Sequence, residues 1–195
     1  MELDKNKIIK NATDFLGDNL KQLSSVKLNE VQIIELKSSD FKEKKGVFKC
    51  LENIKKNTSP LLYTIEFTSS IRVKNTLLES FRDFQQKNKN VKRGEGRINT
   101  SRFNENHEKS VVLYVGSCSK TNFSNRLKAH LGGTNSVRTY ALYLNKWDNK
   151  IDYCLRICTY EILTKKKAIS QFLVELIEQQ FWDELKPIFG KRSGQ

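Results

Sequence analysis

Five residues have side chains that could move protons, grip phosphate or hold a cation: Tyr63, Tyr114, Arg126, His130 and Glu178. Arg126 and His130 stand four residues apart in TNFSNRLKAHLGG, whose Phe123, Leu127 and Leu131 repeat at helical spacing. They therefore share one helix face. An arginine offers a planar fork of donors to phosphate oxygens. A histidine beside it could bond the same phosphate, orient a water or carry a proton. On a solvated surface the same pair is simply a basic helix face.

Glu178 lies in KAISQFLVELIEQQFWDELKP, with Val174 and Trp182 one turn away and Phe181 close by. That spacing puts its carboxylate at the rim of the helix's apolar stripe, formed by Leu173, Leu176, Ile177, Phe181 and Leu185. Such a carboxylate could hold a hard cation that keeps most of its waters. Glu175, flanked at the same spacing by Gln171 and Gln179, is the weaker candidate. Tyr63 and Tyr114 sit in apolar, strand-like runs. An isolated phenol is a poor base, with a pKa near 10. A nearby cation and arginine would lower that pKa. Core tyrosines with satisfied hydroxyls have the same local sequence.

The elements that must position these residues can be read from periodicity. Strands are expected over 31–36, 61–67, 111–116 and 151–163. Helices are expected over 1–24, 71–86, 121–131, 137–147 and 167–187, with a further amphipathic helix over 41–56 interrupted at Gly46. Residues 87–110 are polar and contain Gly94 and Gly96, the pattern of a mobile loop. Strands mixed with helices predict a small α/β or α+β domain over 59–195. It carries an insertion at about 68–110 and is preceded by an arm over 1–58.

The chain has 195 residues and a net charge of +13. That surplus attracts polyanions, and nucleic acid is the expected partner. No apolar run reaches the roughly 20 residues needed to cross a bilayer. The N-terminus lacks a signal-like apolar region, so a cytoplasmic location and four reduced cysteines are expected. Two histidines and no CxxC pair argue against a zinc site.

These residues together resemble the GIY-YIG nuclease superfamily. LYVG (113–116) looks like the family's second tyrosine motif, and RLKAH (126–130) like its arginine helix. LIEQQFWDELKPIFG (176–190) is similar to its glutamate helix, with Pro187 nine residues after Glu178, which selects Glu178 over Glu175. LLYTIEF supplies Tyr63 as the first-strand tyrosine. Three features depart from the pattern. Leu61 and Leu62 stand where the first motif has its glycine, residues 68–110 separate the two tyrosine motifs, and Gly190 replaces a usual asparagine.

The resemblance implies a small, mostly antiparallel three-stranded sheet flanked by helices. It also implies a DNA endonuclease dependent on Mg²⁺ or Mn²⁺, with a role in restriction or defence, mobile elements or repair. Glu178 would be the metal ligand, Arg126 the stabiliser of transition-state charge and Tyr63 the base, supported by Tyr114. His130 would bond the phosphate or tune a tyrosine. The basic loop residues Lys87, Lys89, Lys92, Arg93, Arg97 and Arg102 are expected on the DNA backbone. A dimer is one way for such an enzyme to cut both strands. A non-catalytic nucleic-acid-binding module, or a basic protein–protein adaptor, are the other classes compatible with the charge.

Overall fold

The computed structural model describes residues 4–92, 95–134, 140–147, 150–165 and 168–192. Its sheet has four strands: β1 (Lys27–Lys37), β2 (Leu61–Phe67), β3 (Val112–Cys118) and β4 (Cys154–Leu163). Their spatial order is β1-β4-β2-β3, and every neighbouring pair is antiparallel. The α+β class and the antiparallel sheet were expected. The three-stranded sheet is not found: the strand expected over 31–36 forms as β1 and adds a fourth by pairing along β4, with Ile34 opposite Ile157. Antiparallel β4 offers an open edge whose N–H and C=O groups need partners, and β1 satisfies them.

Among the described residues the α-helices are α1 (Lys5–Leu23), α2 (Ser38–Phe41), α3 (Lys44–Leu51), α4 (Ile71–Lys89), α5 (Phe123–Leu131) and α6 (Gln171–Leu185). Strand alternation sends Tyr63, Ile65 and Phe67 to one face, where they pack with Leu77, Leu78 and Phe81 of α4 and Phe123 and Leu127 of α5. Leu62 and Ile162 point to the other face and meet Val174 and Ile177 of α6. The sheet is thus a middle layer between α4–α5 and α6.

Three expectations are corrected. The helix expected over 41–56 runs only from Lys44 to Leu51, with Gly46 inside it, and is preceded by a separate short helix that ends at Phe41. Residues 140–143 are not helical, and only a 3-10 turn at Leu144–Lys146 follows; residues 135–139 lie outside the described residues. Burial explains this: Ala141, Leu142, Tyr143 and Leu144 are all in the core, which a one-sided helix could not achieve. The segment also joins the fold through Ser101 N–H, which donates to Ala141 O, and is braced internally by Trp147 Nε1 donating to Leu142 O.

The 87–110 segment is not a free loop either. Its start is clasped by the Asn88 side chain, which bonds both the N–H and the C=O of Ile98. Its end is pinned by Lys74 of α4, whose buried ammonium donates to Glu108 O (2.7 Å) and Ser110 O (2.9 Å). Among the described residues, no helix is long and apolar enough to cross a membrane.

Candidate active site

The β2–β3 pairing sets Tyr63 opposite Gly116. The rings of Tyr63 and Tyr114 stack with centroids 6.0 Å apart. Gly116 makes this possible: a Cβ there would stand 2.7 Å from both Tyr63 Oη and Tyr114 Cε1. The glycine of the YVG stretch is a flat floor for the two phenols.

α5 lies across the same face. His130 is fully buried, with Nε2 3.0 Å from Tyr63 Oη, while its Nδ1 accepts from the Leu142 N–H at 3.3 Å. With Nδ1 an acceptor, the ring proton resides on Nε2 and is donated to Tyr63. Burial, aided by the Arg126 charge, lowers the His130 pKa to about 3, so the ring is neutral. Of the two roles expected for it, the phosphate contact is out of reach at zero exposure and the tyrosine contact is made.

One turn earlier on α5, Arg126 brings Nη2 to 3.5 Å from Tyr114 Oη, and its Nε is buried without a partner. The phenols of Tyr63 and Tyr114 raise its pKa, against the opposing effect of burial. Arg126 by itself does not bring the phenols down. Burial lifts Tyr63 well above 10 and raises Tyr114, and the lowering by Arg126 does not offset it. At neutral pH both are protonated, neutral hydrogen-bonding groups.

Glu178 approaches from the opposite layer. Ser117 follows Gly116, so its side chain points to the α6 face, and its hydroxyl donates to Glu178 Oε2. Burial raises the Glu178 pKa, while Ser117 and Arg126 pull it back down. Ser117 went unnoticed in the sequence, although strand alternation from Gly116 signals its direction. Between α5 and α6, at the free edge of β3, lies a pocket of about 400 Å³ lined by Ser117, Cys118, Asn122, Arg126 and Glu178 among others. Burial pushes the Cys118 thiol up to about 11, so it is a neutral wall.

The donor set can be tested against a metal. Glu178 is the one acidic residue lining the pocket, and Ser117 engages only one of its oxygens. No cluster of three metal-ligating side chains exists among the described residues. That excludes a dedicated cage there, but fits a magnesium-type ion that takes one carboxylate and completes its shell with water and phosphate.

The C-terminal segment closes one end of the site. Ile188 and Phe189 donate their N–H groups to Val112 O and Leu113 O, extending the β3 edge. Gly190 has φ +116, favourable only to glycine, and its α-carbon faces the Tyr114 ring. Asn104 of the insertion bonds Pro187 O and Gly190 O, so an asparagine from elsewhere in the chain ties down this turn.

Lys87, Lys89, Lys92, Arg97 and Arg102 are all exposed, and Arg93 lies outside the described residues. None of the five described cations lines the pocket. Arg102 is tied to the C-terminal turn, its carbonyl accepting from Gly190 N–H. No family model, curated protein or solved structure matches the chain.

Proposed function

We propose that the chain is a divalent-metal-dependent endonuclease that hydrolyses phosphodiester bonds in DNA, with a GIY-YIG-type site. One arrangement carries the proposal. Arg126 and a single carboxylate, Glu178 from the opposite layer, meet at one open pocket on a very basic protein, and behind Arg126 stand the phenols of Tyr114 and Tyr63 with the neutral imidazole of His130. β2, β3 and β4 would be the three-stranded core of that fold, and β1 an addition beyond β4.

Arg126 lines the pocket and holds an unpartnered Nε. A phosphate oxygen is the acceptor it lacks, and its fixed charge would stabilise the charge developing on phosphorus. Tyr63 has zero exposure and does not line the pocket. The proton of the attacking water would therefore reach it, once ionised, by relay through Tyr114, whose hydroxyl meets Arg126 of the pocket lining. His130 donates to the Tyr63 oxygen and so favours the phenolate. The water oxygen forms the new bond to phosphorus, and the bond to the leaving sugar oxygen breaks. A magnesium or manganese ion on Glu178 would supply Lewis-acid polarisation of the phosphoryl group. The exposed cations from Lys87 to Arg102 would grip the backbone and add affinity more than sequence preference.

Plasmid nicking with Mg²⁺, Mn²⁺ or EDTA, beside Glu178→Ala and Arg126→Ala, tests this. Metal-dependent cleavage, reduced in each variant by on the order of a hundredfold or more, is expected. DNA binding without cleavage by the wild-type protein under any metal would replace the enzyme with a non-catalytic binding module.

A further inference from the structure

A second cavity, of about 460 Å³, lies at the end of the sheet where β2 begins and β3 and β4 finish. Its floor is apolar, with Pro60, Ile162 and Ile169; its rim is polar, with Ser59, Lys120 and Thr164. Ser119 is a wall of both this cavity and the Arg126–Glu178 pocket, so the two are neighbours along the same edge. No acidic residue lines it. Its volume falls within the range of small-molecule sites, and an apolar floor with a few polar rim groups is their usual chemistry.

The turn between the two depressions is strained. Thr121 has φ 60, a left-handed conformation that a β-branched residue rarely adopts. Such strain persists where the surroundings demand it, and it clusters at sites that hold ligands. Here it projects the Ser119–Asn122 turn between the cavity and the pocket, with Lys120 at the rim of one and Asn122 in the wall of the other.

We propose that this cavity is a subsite for the nucleotide adjoining the cleaved bond. Pro60, Ile162 and Ile169 receive its sugar and base face, and Lys120 receives its phosphate. The assignment rests on the nucleic-acid substrate proposed above and adds where the strand runs: from the Arg126–Glu178 pocket over Ser119 into the cavity. An aliphatic floor accepts any base by contact, so the subsite contributes affinity and register with little sequence preference.

The test uses Ala168→Trp and Lys120→Ala in the full chain. Ala168 lines the cavity and is exposed, so the indole fills the space without entering the core. Binding of a fluorescent mixed-sequence DNA duplex and single strand is measured in EDTA by anisotropy. Steady-state cleavage is measured with metal, and thermal midpoints confirm folding. Ala168→Trp is expected to raise Kd and KM by about tenfold with kcat little changed. Lys120→Ala is expected to flatten the salt dependence by about one phosphate contact.

If the wild type cleaves and folded Ala168→Trp binds and cleaves equally well, the subsite is wrong and the nuclease stands. If the wild type binds without cleaving, the nuclease proposal fails. The tenfold loss in Ala168→Trp would then still uphold the cavity as a nucleotide site. A wild type that binds neither probe overturns both.

Discussion

His130 Nε2 lies 3.0 Å from Tyr63 Oη in an environment where both residues have zero exposure. Two polar groups at the centre of the fold satisfy one another, and the Leu142 N–H completes the imidazole's bonding. The pair joins β2 to α5 and to the irregular 140–144 segment, so it is a structural joint as well as the back wall of the site.

That joint predicts a pH-dependent stability. The folded His130 pKa of about 3 lies below its unfolded value near 6.5. The unfolded chain therefore binds a proton that the native state refuses. The benefit of the neutral ring is complete above about pH 6.5 and is lost as pH falls toward the folded value, with a slope of up to about 1.4 kcal/mol per pH unit. Denaturant unfolding of His130→Gln between pH 5 and 6.5 should be less steep in pH by about one proton. An identical slope would mean that the imidazole is solvated.

Gly116→Ala should be disproportionately harmful. The added methyl meets Tyr63 Oη and Tyr114 Cε1 at 2.7 Å, and neither ring has space to retreat. Overpacking of this kind costs about 1–3 kcal/mol. Because the displaced atoms are the phenols, cleavage should fall further than the shift in thermal midpoint explains. Full activity with only a lowered midpoint would remove the phenols from the chemistry.

Glu178→Gln should separate activity from stability. Burial holds the Glu178 pKa above its ordinary value, so the ionised carboxylate costs the native state stability at neutral pH and that cost disappears as pH falls. The amide keeps an acceptor for Ser117 and removes the buried charge. The thermal midpoint at pH 7 should hold or rise by a few degrees (about 2–4 °C), while metal-dependent cleavage is lost. A falling midpoint would show that the carboxylate is a structural partner of Arg126.

Lys74→Met tests the insertion's anchor. The ammonium makes two bonds to main-chain carbonyls, and its removal leaves Glu108 O and Ser110 O without it. A loss of about 2–4 kcal/mol is expected. Hydrogen exchange should quicken over 105–110 first, and from there to the Asn104 bonds that tie down Gly190. Uniform exchange across the chain would mean that the insertion folds with the whole domain rather than on this anchor.

Much of the site was legible because its residues lie in elements with strong local periodicity. LLYTIEF, VLYVG, the α5 stripe and the α6 stripe each carry one dominant pattern, and each formed as expected. The i,i+4 spacing put Arg126 and His130 on one face but did not separate their fates. One end of α5 is covered by Leu142 and Tyr63, which turns His130 into a core residue, while Arg126 one turn away stays at the pocket. Arg126 alone does not lower the phenol pKa for a related reason: burial depends on what the rest of the chain stacks over the rings, and here it outweighs the nearby arginine.

The segment 137–147 has helical composition, yet Ser101, His130 and Trp147, partners far apart in sequence or across a turn, hold residues 140–143 out of a helix, with Tyr143 at a left-handed φ of 55. β1 was visible as a short strand but not as a neighbour of β4, since pairing is a property of two edges. Local periodicity and charge were enough to give most of the element types, the net positive charge and the five side chains that could do chemistry. Only the packed molecule decided which strand lies beside which, that Ser117 reaches Glu178, and that His130 faces inward. Those outcomes depend on burial and hydrogen-bond satisfaction between segments with no adjacency in sequence.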